Sequence, residues 1–136
     1  MSYGAAAALQ EAVYQALTGD AALATLTGGA IYDQAPAGPV EGTYVSLGDE
    51  SVRDLSDQTH QGAAHRISIQ VVSDAAGFQA AKTVAGRVSD VLVDAAPVLS
   101  RGRVVSLRFL AARARRVRAG QTRRIDLSFR AIVEDS

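Results

Sequence analysis

The sequence predicts an α+β fold: a mostly antiparallel sheet of four to five strands, packed by two main helices and ending in a projecting, arginine-rich C-terminal β-hairpin. Three observations carry this. Residues 5–17 and 76–94 repeat apolar side chains at the three-and-four spacing of an amphipathic helix. Residues 65–73, and the runs before and after Ala119-Gly120, alternate apolar and polar with the two-residue period of half-buried strands. Helices and strands that do not alternate regularly point to helices layered on an antiparallel sheet.

The first helix places Leu9, Ala12, Val13, Ala16 and Leu17 on one face, and Gly19 ends it. Asp20 can cap a second short helix, 21–26, closed by Gly28-Gly29. Ile31-Tyr32 reads as a short strand, Pro36 to Gly42 as a loop, and Tyr44 to Leu47 as a second strand. Residues 48–64 are polar and acidic, with Asp49, Glu50, Asp54 and Asp57, and read as a long functional loop. From His65 to Ser73, Ile67, Ile69 and Val71 face one way and Arg66, Ser68 and Gln70 the other. Ser73 or Asp74 can cap the principal helix, whose stripe is Phe78, Ala81, Ala85, Val88 and Leu92 and which Pro97 stops. In the hairpin, Val105, Leu107 and Phe109 share a face going out, and Ile125, Leu127, Phe129 and Ala131 share one on the return.

The 136 residues suit one domain, 1–136, with a core of small side chains: there is no Trp, and three Phe stand against many Ala and Val. With no cysteine there is neither a disulfide framework nor a thiolate metal site, which suits a reducing compartment. The N-terminus lacks a secretory pattern and no stretch has the apolar length of a membrane helix, so a soluble cytoplasmic product is expected.

Net charge is zero, but the charges are sorted along the chain. Ten of the fourteen basic residues are arginines between 101 and 130, where Asp126 is the single acid. The first hundred residues hold eleven acids against Arg53, Arg66, Lys82 and Arg87. Such a split serves assembly or nucleic-acid contact more readily than catalysis. Continuing the core face past Phe109 would bury Arg113 and Arg115, while Arg116 and Arg118 lie on the other parity. The hairpin is therefore expected to leave the body near residue 111. Two like charges about 5 Å apart repel by about 3 kcal/mol at an effective dielectric near 20, before screening. Arg113, Arg115, Arg116, Arg118, Arg123 and Arg124 are thus candidate contacts for another subunit, a tube protein or DNA. Asp49, Glu50, Asp54 and Asp57 are their acidic counterparts.

Catalytic patterns are missing. His60 and His65 have no third ligand at metal-site spacing, no serine stands in a nucleophile elbow, and Thr27-Gly28-Gly29 lacks the lysine of a phosphate loop. No enzyme, metal or cofactor is expected. The hairpin also lacks interleaved aromatics for stacking bases, so any nucleic-acid contact would be electrostatic and nonspecific.

Four stretches carry a resemblance: Gly-Asp-Ala-Ala-Leu-Ala-Thr-Leu (19–26), Ala-Ile-Tyr-Asp-Gln-Ala-Pro (30–36), Thr-Tyr-Val-Ser-Leu-Gly (43–48), and Arg-Ile-Ser-Ile-Gln-Val-Val-Ser (66–73) leading into Gly-Phe-Gln-Ala-Ala-Lys (77–82). In this order, over nearly the whole chain, they resemble the tail terminator (tail completion) family of long-tailed bacteriophages and gene transfer agents. Thr43 stands where that family often has a proline. The resemblance implies a structural virion protein: a ring, of six copies, that ends the tail tube, meets the head connector and lets DNA pass through its lumen. It further implies assembly in the bacterial cytoplasm and a place at the head-proximal end of the tail. An independent nonspecific DNA- or RNA-binding domain using the same hairpin is the alternative reading, and an enzyme built on the histidine-acid loop is the third.

Overall fold

A computed structural model describes residues 3–39, 41–57, 61–95, 97–117 and 122–135. In chain order the elements are α1 (Ala6–Thr18), α2 (Ala21–Thr27), β1 (Ile31–Tyr32), β2 (Thr43–Asp54), β3 (Gly62–Ser73), α3 (Gln79–Asp94), β4 (Arg103–Val117) and β5 (Thr122–Glu134). The strands form one mixed sheet in the order β1-β2-β3-β5-β4. β1 pairs parallel to β2 and every other pairing is antiparallel.

The helices lie over the odd-numbered face of β3 and β5. Ile67, Ile69 and Val71 from β3 and Ile125, Leu127, Phe129, Ala131 and Val133 from β5 meet Leu9, Val13 and Leu17 of α1, Leu23 of α2, and Val84, Val88 and Leu92 of α3. Leu9, Val13 and Leu17 belong to the predicted stripe of α1, and Val88 and Leu92 to that of α3; Val84 joins the α3 stripe without having been predicted, and Phe78 is only half-buried and precedes the helix. Phe129 is the largest fully buried side chain, as expected of a core otherwise made from Leu, Ile, Val and Ala. Among the described residues, the even-numbered face of the sheet carries no helix.

Local chemistry explains the helix ends. Asp20 accepts a hydrogen bond from the Leu23 amide at 3.0 Å and so caps α2 as predicted. Gly28 ends α2 with φ of 63°, a conformation that favours glycine. Neither Ser73 nor Asp74 caps α3. The helix starts after Phe78 without a side-chain cap, and Ser73 Oγ accepts instead from the Ala75 amide at 3.1 Å.

Two expectations are corrected. Residues 48–64 are not a long loop: β2 runs on to Asp54 and β3 begins at Gly62, leaving a short connection. An irregularity between Leu47 and Glu50 absorbs Gly48-Asp49 and lets antiparallel pairing resume as Glu50 meets Ile67 and Asp54 meets Ala63. Polar residues hid this strand because β1 reaches only Val45 and Ser46, so the rest of β2 needs no apolar cover along that edge.

The hairpin, moreover, does not leave the body at residue 111. β5 is an interior strand, paired with β3 from Glu134 opposite Gly62 to Arg123 opposite Ser73. β4 solves the parity problem with two bulges. At Val104/Ser106 the extra residue is Val105, which is 49% exposed rather than in the core. At Phe109/Ala111 the extra residue is Leu110, and beyond it the inward positions fall on Ala112 and Ala114 while Arg113 and Arg115 turn to the open face. A one-residue insertion thus does what departure from the body was expected to do. The turn of the hairpin, with Arg118, Ala119 and Gly120, lies outside the described residues, as does His60.

Candidate assembly interface

The two long edges of the sheet carry opposite charge. β2 holds Asp49, Glu50 and Asp54, and Asp57 follows it. β4 holds Arg103, Arg108, Arg113, Arg115 and Arg116. β3 and β5 separate these edges, so at about 4.8 Å per strand step they stand about 14 Å apart. That exceeds any ion-pair distance, so the acidic edge does not neutralise the basic one within a subunit.

The hairpin arginines divide into three groups. Asp126 serves a cluster: Arg124 donates to it at 3.0 Å, Arg115 lies 3.7 Å away, and Arg113 is its register partner on β4. Arg123, on the helix side, donates to the Ala76 carbonyl at 2.6 Å and sits 5.6 Å from the centre of the Phe78 ring, tying β5 to the approach of α3. Arg113 and Arg116 have no ion pair among the described residues and are exposed. Three like-charged pairs lie directly opposite across β4 and β5: Arg108 and Arg130, Arg115 and Arg124, Arg116 and Arg123. Such pairs oppose folding. At the far end, Arg101 forks onto Asp135 at 2.8 and 3.2 Å, and Arg103 reaches Glu134 at 2.5 Å.

On the other edge Asp49 is exposed. Glu50 turns to the helix side, where the Tyr3 hydroxyl donates to it and burial raises its carboxyl above the ordinary value. Asp54 accepts from the Ser56 hydroxyl at 2.6 Å and the Ser56 amide at 3.1 Å, which holds its carboxyl below the ordinary value. Asp57 is exposed and is not without a partner.

The structure places Arg113, Arg115 and Arg116 on the edge strand β4, Arg123 and Arg124 on the interior strand β5, and Asp49, Glu50 and Asp54 on β2 with Asp57 just after it; Arg118 lies outside the described residues. The sequence reading missed a second basic group. Arg66 on β3, Arg130 on β5 and Arg108 on β4 are successive register partners on the open face. The alternation of β3 and β5 holds that signal, but strand order is needed to read it. The His65 ring is fully buried, neither nitrogen has a hydrogen-bond partner among the described residues, and burial lowers its pKa. Among the described residues no three His, Cys, Asp or Glu gather around a common point, and no helix is long and apolar enough to cross a membrane.

No curated protein matches the chain. A solved structure described as the virion of a native gene transfer agent particle contains a chain that is 60% identical; the match covers 98% of this chain and 99% of that one, with a TM-score of 0.90. The model of the family described as tail completion protein gp17 matches residues 11–134. An α+β domain with oppositely charged sheet edges, matched over nearly its whole length, belongs to the tail completion protein gp17 family.

Proposed function

We propose that this protein is a structural virion component, without enzymatic activity, that acts as one domain over residues 1–136. Six copies form a ring that ends the tail tube, joins it to the head connector at the head-proximal end of the tail, and surrounds the passing DNA. Family membership and the likeness to a chain of a gene transfer agent virion support a tail protein. One observation supports the ring: the charge-complementary edges sit on opposite sides of the sheet, too far apart to meet in one subunit. A ring of identical copies needs a surface that complements a different surface on its neighbour. The acidic β2 edge, with Asp49, Glu50, Asp54 and Asp57, faces the basic β4 edge of the next copy, with Arg113, Arg115 and Arg116 on that edge and Arg123 and Arg124 behind it on β5; Arg118, outside the described residues, is proposed to act with them. Pairing these edges also shields two exposed strands from promiscuous association.

The test is Arg113→Glu/Arg115→Glu/Arg116→Glu, which reverses the edge at exposed positions without touching the core. Circular dichroism should show a folded subunit. Negative-stain imaging with purified tail tubes should show uncapped tubes, and tail joining should fail. Normal capping by this variant would overturn the edge assignment.

A further inference from the structure

The open face of the sheet holds a cluster that the edge contacts leave unused. Arg66, Arg130 and Arg108 stand side by side across β3, β5 and β4, and Ser51 continues the row on β2. The next row brings Ser68 opposite Ser128. Arg53 joins Arg66, Arg130 and Ser51 around a groove of about 300 Å³ with Leu110 at its rim. None of these four arginines has an ion pair among the described residues, and three of them are neighbours at strand spacing. Like charges so placed weaken the sheet, and the fold gains nothing visible in return.

We propose that this row is a binding face for the phosphodiester backbone of duplex DNA, read without regard to sequence. The assignment deepens the reading above by naming the face that meets nucleic acid. Guanidiniums interleaved with hydroxyls make up a donor set suited to phosphate oxygens. Phe109, the aromatic beside Arg108 in sequence, turns to the helix side opposite Phe129, so it offers no ring on this face for a base to stack upon. A second copy's acidic edge is the poorer occupant. The reading above already sets Asp49, Glu50, Asp54 and Asp57 against the hairpin arginines of the next copy, which leaves that edge no carboxylate for this row. A nucleic-acid backbone carries one charge per about 1.7 Å of duplex axis and can meet the whole row.

The test measures binding of the full chain to a short labelled duplex by fluorescence anisotropy across a salt series. Each phosphate-bound cation contributes about 0.9 to the slope of log affinity against log salt, so Arg66→Gln/Arg108→Gln/Arg130→Gln should flatten it by about 2.7. Between about 50 and 200 mM salt the variant should then lose about 40-fold less affinity than the wild type loses. The Arg66→Lys/Arg108→Lys/Arg130→Lys variant should restore the slope, which a merely structural role for the row would not predict. The glutamine variant should still cap tail tubes, because it leaves Arg113, Arg115 and Arg116 in place. An unchanged slope in the glutamine variant overturns the proposal. So does tighter binding of the wild type to polyglutamate than to the duplex at equal ionic strength, which would make the row a site for acidic protein. Should the edge variant described above cap tubes normally, the slope difference between wild type and the glutamine variant is still expected.

Discussion

Asp126 is the one carboxylate among the hairpin's arginines, and its removal measures how much the fold depends on that single counter-charge. Asp126→Asn keeps shape and hydrogen-bonding capacity but removes the charge that faces Arg124 at 3.0 Å, Arg115 at 3.7 Å, and Arg113 across the strand pair. The side chains are partly open to water, 28% for Asp126 and 41% for Arg115, so solvent discounts each interaction. Exposed pairs are worth about 0.2–1 kcal/mol each, so the two ion pairs together with the weaker attraction to Arg113 total about 1–2 kcal/mol. The remaining arginines then repel without relief, Arg115 lying opposite Arg124. For a domain of this size about 1.5 kcal/mol corresponds to a fall in Tm of about 4–6 °C. Differential scanning calorimetry at low salt should show that fall. At about 1 M salt, where the screening length drops to about 3 Å, most of it should vanish. The same substitution raises the charge of the open face, so duplex binding should strengthen while stability drops. An unchanged Tm at low salt, or a loss that persists at high salt, would refute the electrostatic account of this cluster.

Asp20 both caps α2 and forks onto Arg87 of α3 at 2.6 and 2.9 Å. Asp20→Ala should destabilise by about 1.5–2 kcal/mol in urea titration, and Asp20→Asn, which can still cap, by less than about 1 kcal/mol. The Arg87 hydrogen bonds lower the Asp20 carboxyl below its ordinary value, so its stabilisation is present above pH about 4 and is lost as pH falls through the depressed value. His65 behaves with the same sign. Its folded pKa is depressed by burial, so the unfolded chain binds its proton first and stability falls as pH drops below about 6.5. A His65→Leu variant should flatten stability against pH in that window, and an unaltered profile would exclude His65 as the cause. Gly102→Ala should cost more than about 1 kcal/mol, because φ is 75° and an added Cβ would stand 2.7 Å from the Glu134 carbonyl; an unchanged Tm would contradict that strain.

Helical periodicity survives every context because burial selects one stripe of a helix. The Leu9–Val13–Leu17 and Ala81–Val88–Leu92 stripes are accordingly where the alternation of apolar residues predicts them. The odd-numbered face of β5 is equally plain, since an interior strand under helices must alternate. Edge strands escape this rule. β2 past Leu47 is half free of neighbours, tolerates Asp49, Glu50 and Asp54, and so resembles a loop when read one residue at a time.

The arginine hairpin shows the same limit from the other side. Composition alone marks it, but a bulge at Phe109/Ala111 exchanges inward for outward positions, and that slip cannot be read from alternation that it interrupts. Parity therefore pointed to a ribbon leaving the body, where the chain instead turns its alanines inward and keeps β5 in the middle of the sheet.

The amino-acid sequence by itself determined the helices, the buried face of β3 and β5, the segregation of charge and the likeness to tail completion proteins, because each is written locally or in the order of local patterns. Only the tertiary structure decided that the acids and the hairpin arginines occupy opposite edges of one sheet, and that Arg66, Arg130 and Arg108 form a row. Those relations depend on strand order and register, which arise from backbone hydrogen bonds between segments up to tens of residues apart.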